Sequence, residues 1–79
     1  MISLISAPQD KQLRIIEING GHGLRRRLMA LGLHKSDVIQ LESRSPLGGP
    51  ILIRNMSSDT SLALGRGVAK KIVVEIVGE

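Results

Sequence analysis

The sequence predicts a mainly β fold, a small barrel of about five strands with one or two short helices. Short segments rich in β-branched or alternating apolar residues recur along the 79-residue chain, and such segments favour strands. Closely spaced glycines and prolines separate them, which indicates tight turns. Closing the sheet into a barrel would leave few apolar edges exposed. Because the chain is short and has no long linker, we expect a single domain over residues 1–79.

Five segments are expected to be strands. In two of them the side chains alternate clearly. Ile39 and Leu41 stand opposite Gln40 and Glu42, so one face is expected to be buried and the other wet. In the last segment one face carries Ile72, Val74 and Ile76. The expected strands span residues 13–18, 37–44, 51–55, 61–64 and 71–77. The start of the chain, residues 2–10, is ambiguous between a strand and a helical turn that Pro8 would end.

One segment has helical spacing instead. In GLRRRLMALGL, residues 23–33, the leucines Leu24, Leu28 and Leu31 recur at i, i+4 and i+7, which predicts an apolar stripe on a short helix. Gly32 follows as the expected left-handed residue that ends it.

The composition excludes several classes of function. The chain has no Cys, so disulfides, thiolate nucleophiles and cysteine-ligated metal clusters are ruled out. It has no Phe, Tyr or Trp, which argues against grooves for proline-rich peptides and against stacking on single-stranded nucleic acid. We recognise no signal peptide and no apolar run long enough to span a bilayer, so we expect a cytosolic protein.

The charge of the chain favours anionic partners. Eleven Lys and Arg against seven Asp and Glu give +4, which suits an acidic protein surface, nucleic acid or an anionic membrane face. Arg25, Arg26 and Arg27 are consecutive, and on a helix they would fan through about 200°. They form either a solvated face or a basic ridge that meets an acidic surface.

A second candidate site is the turn sequence in SPLGGPILIR, residues 45–54. The two prolines fix their own backbone angles, and the two glycines are expected to supply positive φ for a hairpin turn. The segment is therefore either a rigid corner or a corner that also presents an apolar side chain to a partner. The residues concerned are Pro46, Leu47, Gly48, Gly49 and Pro50.

Metal binding, nucleotide binding and catalysis find little support. The glycines of GGHGLRRR, residues 20–27, do not have phosphate-loop spacing. Both histidines are expected in loops, where such side chains more often face solvent than bind a metal, so we expect no resident metal, no cofactor and no catalytic residues. The side chains considered as ligands were His22, His34, Glu17, Asp37, Glu42, Asp59 and Glu75.

Three stretches together resemble the FeoA family. They are RRRLMALGL (residues 25–33), SPLGGPILIR (residues 45–54) and LALGRGVAKKIVVE (residues 62–75). The resemblance implies an SH3-like barrel, a short helix before the last strand, and an accessory role beside FeoB, the GTP-binding ferrous-iron permease. The chain departs from the family pattern at residues 34–36, where His-Lys-Ser replaces a Pro-Gly turn, and at Gly65 and Gly67 around the second helix.

The leading hypothesis is a cytosolic accessory protein that docks on the cytosolic part of a FeoB-type permease through Arg25–Arg27 and Pro46–Pro50. The alternatives are a small-barrel nucleic-acid binder and a metal-sensing module. We expect no nucleic-acid partner, because the chain lacks aromatic residues. A peripheral contact with the membrane and a weak homo-oligomer are left open.

Overall fold

The structure, a computed structural model, describes residues 1–78. A 3₁₀ turn at Leu4–Ser6 and a tight turn at Pro46–Gly48 supplement the regular elements. These elements are, in chain order, β1 (Ile2–Ser3), β2 (Gln12–Ile18), α1 (Gly21–Ala30), β3 (Val38–Arg44), β4 (Ile51–Asn55), β5 (Thr60–Leu64), α2 (Arg66–Ala69) and β6 (Ile72–Ile76). All five predicted strands are present, with bounds that differ by at most one residue.

The strands form one antiparallel sheet in the order β1-β6-β2-β3-β4-β5. The sheet and the two short helices make the small SH3-like barrel that the sequence predicted. The strand beyond the predicted five is β1, where Ile2 and Ser3 pair with Val74 and Val73 of β6. The ambiguous N-terminal stretch is thus a two-residue strand followed by a turn, and Leu4 in that turn is fully buried.

The core is entirely aliphatic. In β3 the predicted alternation is confirmed, since Ile39 and Leu41 are fully buried while Gln40 and Glu42 are partly exposed. The core residues are Leu4, Ala7, Leu13, Ile15, Ile18, Leu28, Leu33, Ile39, Leu41, Ile51, Ile53, Leu64, Ala69, Ile72 and Val74. They come from every strand except β1 and from both helices, so one continuous core packs the sheet and the helices together.

A β-bulge in β2 changes which side chains face inward. Pairing with β6 passes from Ile15↔Val74 to Glu17↔Val73, so Ile16 is an extra residue in the ladder. After the bulge Ile18 is buried and Glu17 is only partly exposed. The bulge therefore places the Glu17 carboxylate beside the helix that follows.

Helix α1 ends in a Schellman motif, as the position of Gly32 suggested. Gly32 has φ 85°, its N–H bonds to the Met29 carbonyl at 2.9 Å, and the N–H of Leu33 bonds to the Leu28 carbonyl at 2.9 Å. Leu28 and Leu33 are both buried, which provides the apolar contact usual for this motif.

The predicted apolar stripe on α1 is wrong at one position. Leu28 is buried and Leu24 is half-buried, but Leu31 is 58% exposed. The physical reason is that the helix ends before Leu31 can complete a third turn. Because the chain reverses at Gly32, Leu33 fills the place in the core that the stripe assigned to Leu31.

The turn at residues 34–37 keeps the shape of a Pro-Gly turn without its residues. The Asp37 N–H bonds to the His34 carbonyl at 3.1 Å, and Ser36 adopts φ 77°, a value that glycine reaches at lower cost. Ser36 therefore adopts a strained backbone conformation, and the geometry of the turn is retained. The second family departure is tolerated as well, since α2 forms with Gly65 as its N-cap and Gly67 within its first turn.

Candidate docking surfaces

The turn at Pro46–Pro50 presents Leu47 to solvent. The Leu47 side chain is completely exposed, and the turn is closed by a bond from the Ser45 N–H to the Pro50 carbonyl at 3.3 Å. The prediction for its backbone was half wrong. Gly48 has φ 80° as expected, but the second positive φ belongs to Leu47, at 65°, and Gly49 has φ −73°.

The positive φ of Leu47 and the negative φ of Gly49 have a steric reason and an energetic consequence. A Cβ on Gly49 would lie 2.8 Å from Cβ of Ser45, so Gly49 serves close packing across the turn and not positive φ. Leucine in the left-handed region costs about 1–2 kcal/mol relative to a relaxed backbone. Leu47 therefore combines a strained backbone with an apolar side chain held in water.

The start of α2 lies beside the same turn. A Cβ placed on Gly48 would be 3.9 Å from Cδ of Arg66, so the stem of Arg66 lies near the turn and brings a positive charge close to Leu47. On the other side, the Arg44 guanidinium donates hydrogen bonds to the carbonyls of Ile5 and Ala7. These bonds fix the N-terminal segment at the base of the hairpin, so the turn is well supported.

The three arginines of α1 do not form one uniform ridge. Arg25 turns back toward β2, where its Nε donates to the Ile18 carbonyl at 3.0 Å and its Nη2 lies 3.7 Å from Oε1 of Glu17. Arg26 and Arg27 are exposed residues of the same helix. The arginines therefore have different roles, one anchored on the sheet and two carried on the helix surface.

The structure does not bring the two predicted surfaces together. Arg25 lies near Glu17, which also contacts Lys35 in the turn before β3, whereas residues 46–50 follow the far end of that strand. The seven residues of β3 correspond to roughly 20 Å at the usual strand rise. The turn and the helix therefore present two separate surfaces of the barrel.

A groove between β2, α1 and residues 34–37 was not foreseen from the sequence. It has a volume of about 340 Å³. Its apolar wall consists of Ile18, Met29 and Leu33, its charged rim consists of Glu17, Arg25 and Lys35, and the His34 imidazole also lines it. The sequence signal that could have revealed it is Met29, an apolar residue off the leucine stripe, which is 55% exposed.

A buried polar network holds the wall of this groove in place. Asn55 is completely buried and its side-chain N–H groups donate to the Gly32 carbonyl at 3.0 Å and to Oδ2 of Asp37 at 2.9 Å. The Asn55 side-chain oxygen accepts from the Ser57 N–H at 3.0 Å. One side chain thus links the end of α1, the turn that follows it and the hairpin after β4.

The ligand-type side chains do not gather into a metal site in the described part of the chain. Within residues 1–78, no three His, Asp or Glu side chains come close enough to hold a metal ion together. His34 lies beside Asp37, with its Nδ1 3.4 Å from Oδ2, and His22 is exposed on α1. Likewise, none of the helices in this range has the length and hydropathy needed to cross a membrane.

Comparison with known proteins agrees with the fold and identifies the family of the chain. The architecture defines a small SH3-like barrel, and the FeoA domain profile matches residues 2–76. The chain therefore belongs to the FeoA family, which is involved in ferrous iron transport, and the family expectation from the sequence is confirmed.

Individual relatives resemble the chain over most of its length. A protein of Methanocaldococcus jannaschii, described as a candidate Fe(2+) transport protein A, is 29% identical over 75 residues, which cover 95% of this chain and 87% of the relative. The crystal structure of an iron uptake regulatory protein (FeoA) is 27% identical with a TM-score of 0.78, covering 94% and 93% of the two chains. The NMR structure of a FeoA-like protein from Clostridium acetobutylicum is 31% identical with a TM-score of 0.82, covering 99% and 88%.

Proposed function

We propose that this protein is a cytosolic accessory module of ferrous iron uptake, which docks on the cytosolic part of a FeoB-type permease through protein–protein contacts. The observation that carries the proposal is Leu47, an apolar side chain fully exposed at the tip of a strained turn. Membership of the FeoA family supplies the transport context. We assign the chain a binding role and no catalytic one.

The energetics of Leu47 favour a docking role. Burial of a leucine side chain in a partner yields about 1.5–3 kcal/mol, and the closed turn has already fixed the backbone in place. A fixed anchor loses little conformational entropy on binding. In the free protein both the exposure of the apolar Leu47 side chain and its left-handed backbone are unfavourable. Backbone strain of this kind is concentrated at functional sites.

Docking can regulate the permease only under one condition. The barrel has to bind one state of the permease, such as its GTP-bound form, more tightly than another, because a ligand with equal affinity for two states shifts neither. A small barrel with a continuous aliphatic core suits this role, since it offers a rigid surface.

The test is a calorimetric titration of the protein with the purified cytosolic GTP-binding domain of the ferrous-iron permease from the same organism. We expect a saturable interaction with a dissociation constant below about 50 μM, the range of weak regulatory contacts. The titration is repeated with GDP and with a non-hydrolysable GTP analogue. Absence of binding by a folded protein in both nucleotide states would contradict the proposal.

A further inference from the structure

The charged rim of the groove contains two cations that share one carboxylate. Oε1 of Glu17 lies 3.7 Å from Nη2 of Arg25, and Oε2 lies 3.9 Å from Nζ of Lys35. Both separations are too long for good hydrogen bonds, and all three side chains are roughly half exposed or more. Exposed pairs of this kind are weak, so the rim keeps a net positive charge and exchanges partners readily.

The other charged and polar groups nearby do not cancel that charge. Oδ2 of Asp37 accepts hydrogen bonds from the Asn55 side chain and from the His34 N–H, which position this carboxylate but leave its negative charge, so the positive sum depends on the arginines of α1. Helix α1 has no acidic residue, and it adds Arg26 and Arg27 on its exposed surface. The field around the groove therefore attracts carboxylates.

The size and lining of the groove define what fits it. A volume of about 340 Å³ lies at the lower end of the range for ligand pockets, which suits one or two amino-acid side chains. Of the lining side chains only the His34 imidazole is a ring and the wall is otherwise aliphatic, so the groove lacks the Phe, Tyr or Trp on which nucleobases usually stack. The site is concave, whereas a surface that inserts into lipid presents apolar groups outward.

We propose that this groove binds an acidic segment of a protein partner. One apolar side chain of the segment enters between Met29, Ile18 and Leu33, and a neighbouring carboxylate takes the place of Glu17 between Arg25 and Lys35. The inference rests on the proposed function in one respect, that the partner is a protein. It adds the chemistry of the partner segment that the groove recognises.

Glu17 has a distinct role in this arrangement. Before the partner arrives, its carboxylate holds Arg25 and Lys35 at the rim, and it then competes with the incoming carboxylate for the same two cations. Glutamine at this position can still accept the hydrogen bond that Oε1 receives from the Ile18 N–H. The Glu17→Gln variant should therefore bind an acidic segment more tightly, whereas loss of Lys35 should weaken binding.

The probe is a fluorescein-labelled peptide with one leucine between two pairs of glutamates, titrated with the full chain and followed by fluorescence polarisation at about 0.15 M salt, where the Debye length is about 8 Å. We expect Glu17→Gln to tighten binding about threefold and Lys35→Gln to weaken it about threefold, as rim charges do. Arg26→Gln removes the same charge from the helix surface away from the groove, and its effect should stay below about twofold.

A second pair of variants tests the apolar wall. Met29 and Leu31 are neighbours at the end of α1 and are almost equally exposed, at 55% and 58%, but Met29 lines the groove. We expect Met29→Ala to weaken binding of the peptide about tenfold, through lost apolar contact. Leu31→Ala should leave it within about twofold, because its side chain is equally exposed but lies outside the groove.

Two results would overturn the inference. One is a peptide affinity that does not respond to Glu17→Gln, Lys35→Gln and Met29→Ala in folded protein. The other is a groove that binds anionic vesicles or an oligonucleotide through these residues and does not bind the peptide. The peptide is not taken from the permease, so the two experiments can be distinguished. Failure of the permease titration contradicts only the proposed function, and failure of the peptide to bind contradicts only the proposal for the groove.

Discussion

The side chain of Asn55, which is completely buried, donates a hydrogen bond of 2.9 Å to Oδ2 of Asp37. Since Asp37 also accepts from the His34 N–H at 2.8 Å, this bond connects β4 to the turn that forms one side of the groove. The arrangement of the groove thus depends on a buried polar contact between residues 18 positions apart in sequence.

Asn55→Asp should destabilise the protein strongly. The substitution removes the donors to Gly32 and Asp37 and sets two carboxylates against each other in a buried site, so we expect a loss of about 2–4 kcal/mol in the free energy of unfolding. Urea unfolding followed by far-UV circular dichroism measures it, since the chain has no aromatic residue for fluorescence.

The double variant Asn55→Asp with Asp37→Asn tests the same contact from both sides. It restores one donor and one acceptor between the two positions, so we expect it to recover about 1 kcal/mol relative to Asn55→Asp alone. A double variant no more stable than the single one would show that the contact between these two side chains does not contribute.

Ser36→Gly should stabilise the protein. Ser36 has φ 77° and an exposed side chain, so glycine relieves the strain of a left-handed conformation at the expense of a more flexible unfolded chain. The net gain is expected to be about 0.5–1 kcal/mol. A thermal melt should show a rise in Tm of about 3–6 °C, and a fall in Tm would contradict the assigned turn geometry.

The two leucines at the end of α1 should respond very differently to truncation. Leu28 is 2% exposed and Leu31 is 58% exposed. Leu28→Ala is expected to lower the free energy of unfolding by about 2–4 kcal/mol through the cavity it leaves, whereas Leu31→Ala should change it by less than about 0.5 kcal/mol. If urea unfolding gave similar losses of unfolding free energy for the two variants, Leu31 would be packed in the core in solution, as the helical spacing suggested.

Local patterns in the sequence were sufficient to predict a small barrel of short strands, whereas its SH3-like type and second helix were implied by the resemblance to the FeoA family. Alternation identified the inner face of β3, and the spacing of Leu24 and Leu28 identified α1. The error at Leu31 has a clear origin, because spacing alone does not show where a helix ends. Gly32 marked that end, and if it had been given priority over the spacing, Leu33 would have been assigned to the core.

The candidate site was harder to predict because it depends on contacts between distant residues. The turn tip could be predicted from adjacent residues. It could not be predicted that Leu47, and not Gly49, adopts positive φ, since this depends on the packing of Gly49 against Ser45. The groove brings Glu17 and Lys35 together through the bulge in β2 and the turn after α1. Neither feature has a local sequence pattern that would indicate this proximity.

The measurement that tests the central claim most directly is the stability and the affinity of a single variant, Leu47→Asn. Asparagine tolerates positive φ and removes the exposed apolar side chain, so we expect Tm to rise while the affinity for the cytosolic domain of the permease falls about tenfold or more. Leu31→Ala is the matched control, since it also removes an exposed leucine but lies outside the turn and the groove, so it should bind normally. A Leu47→Asn protein that binds the permease as tightly as the unaltered chain would contradict the account.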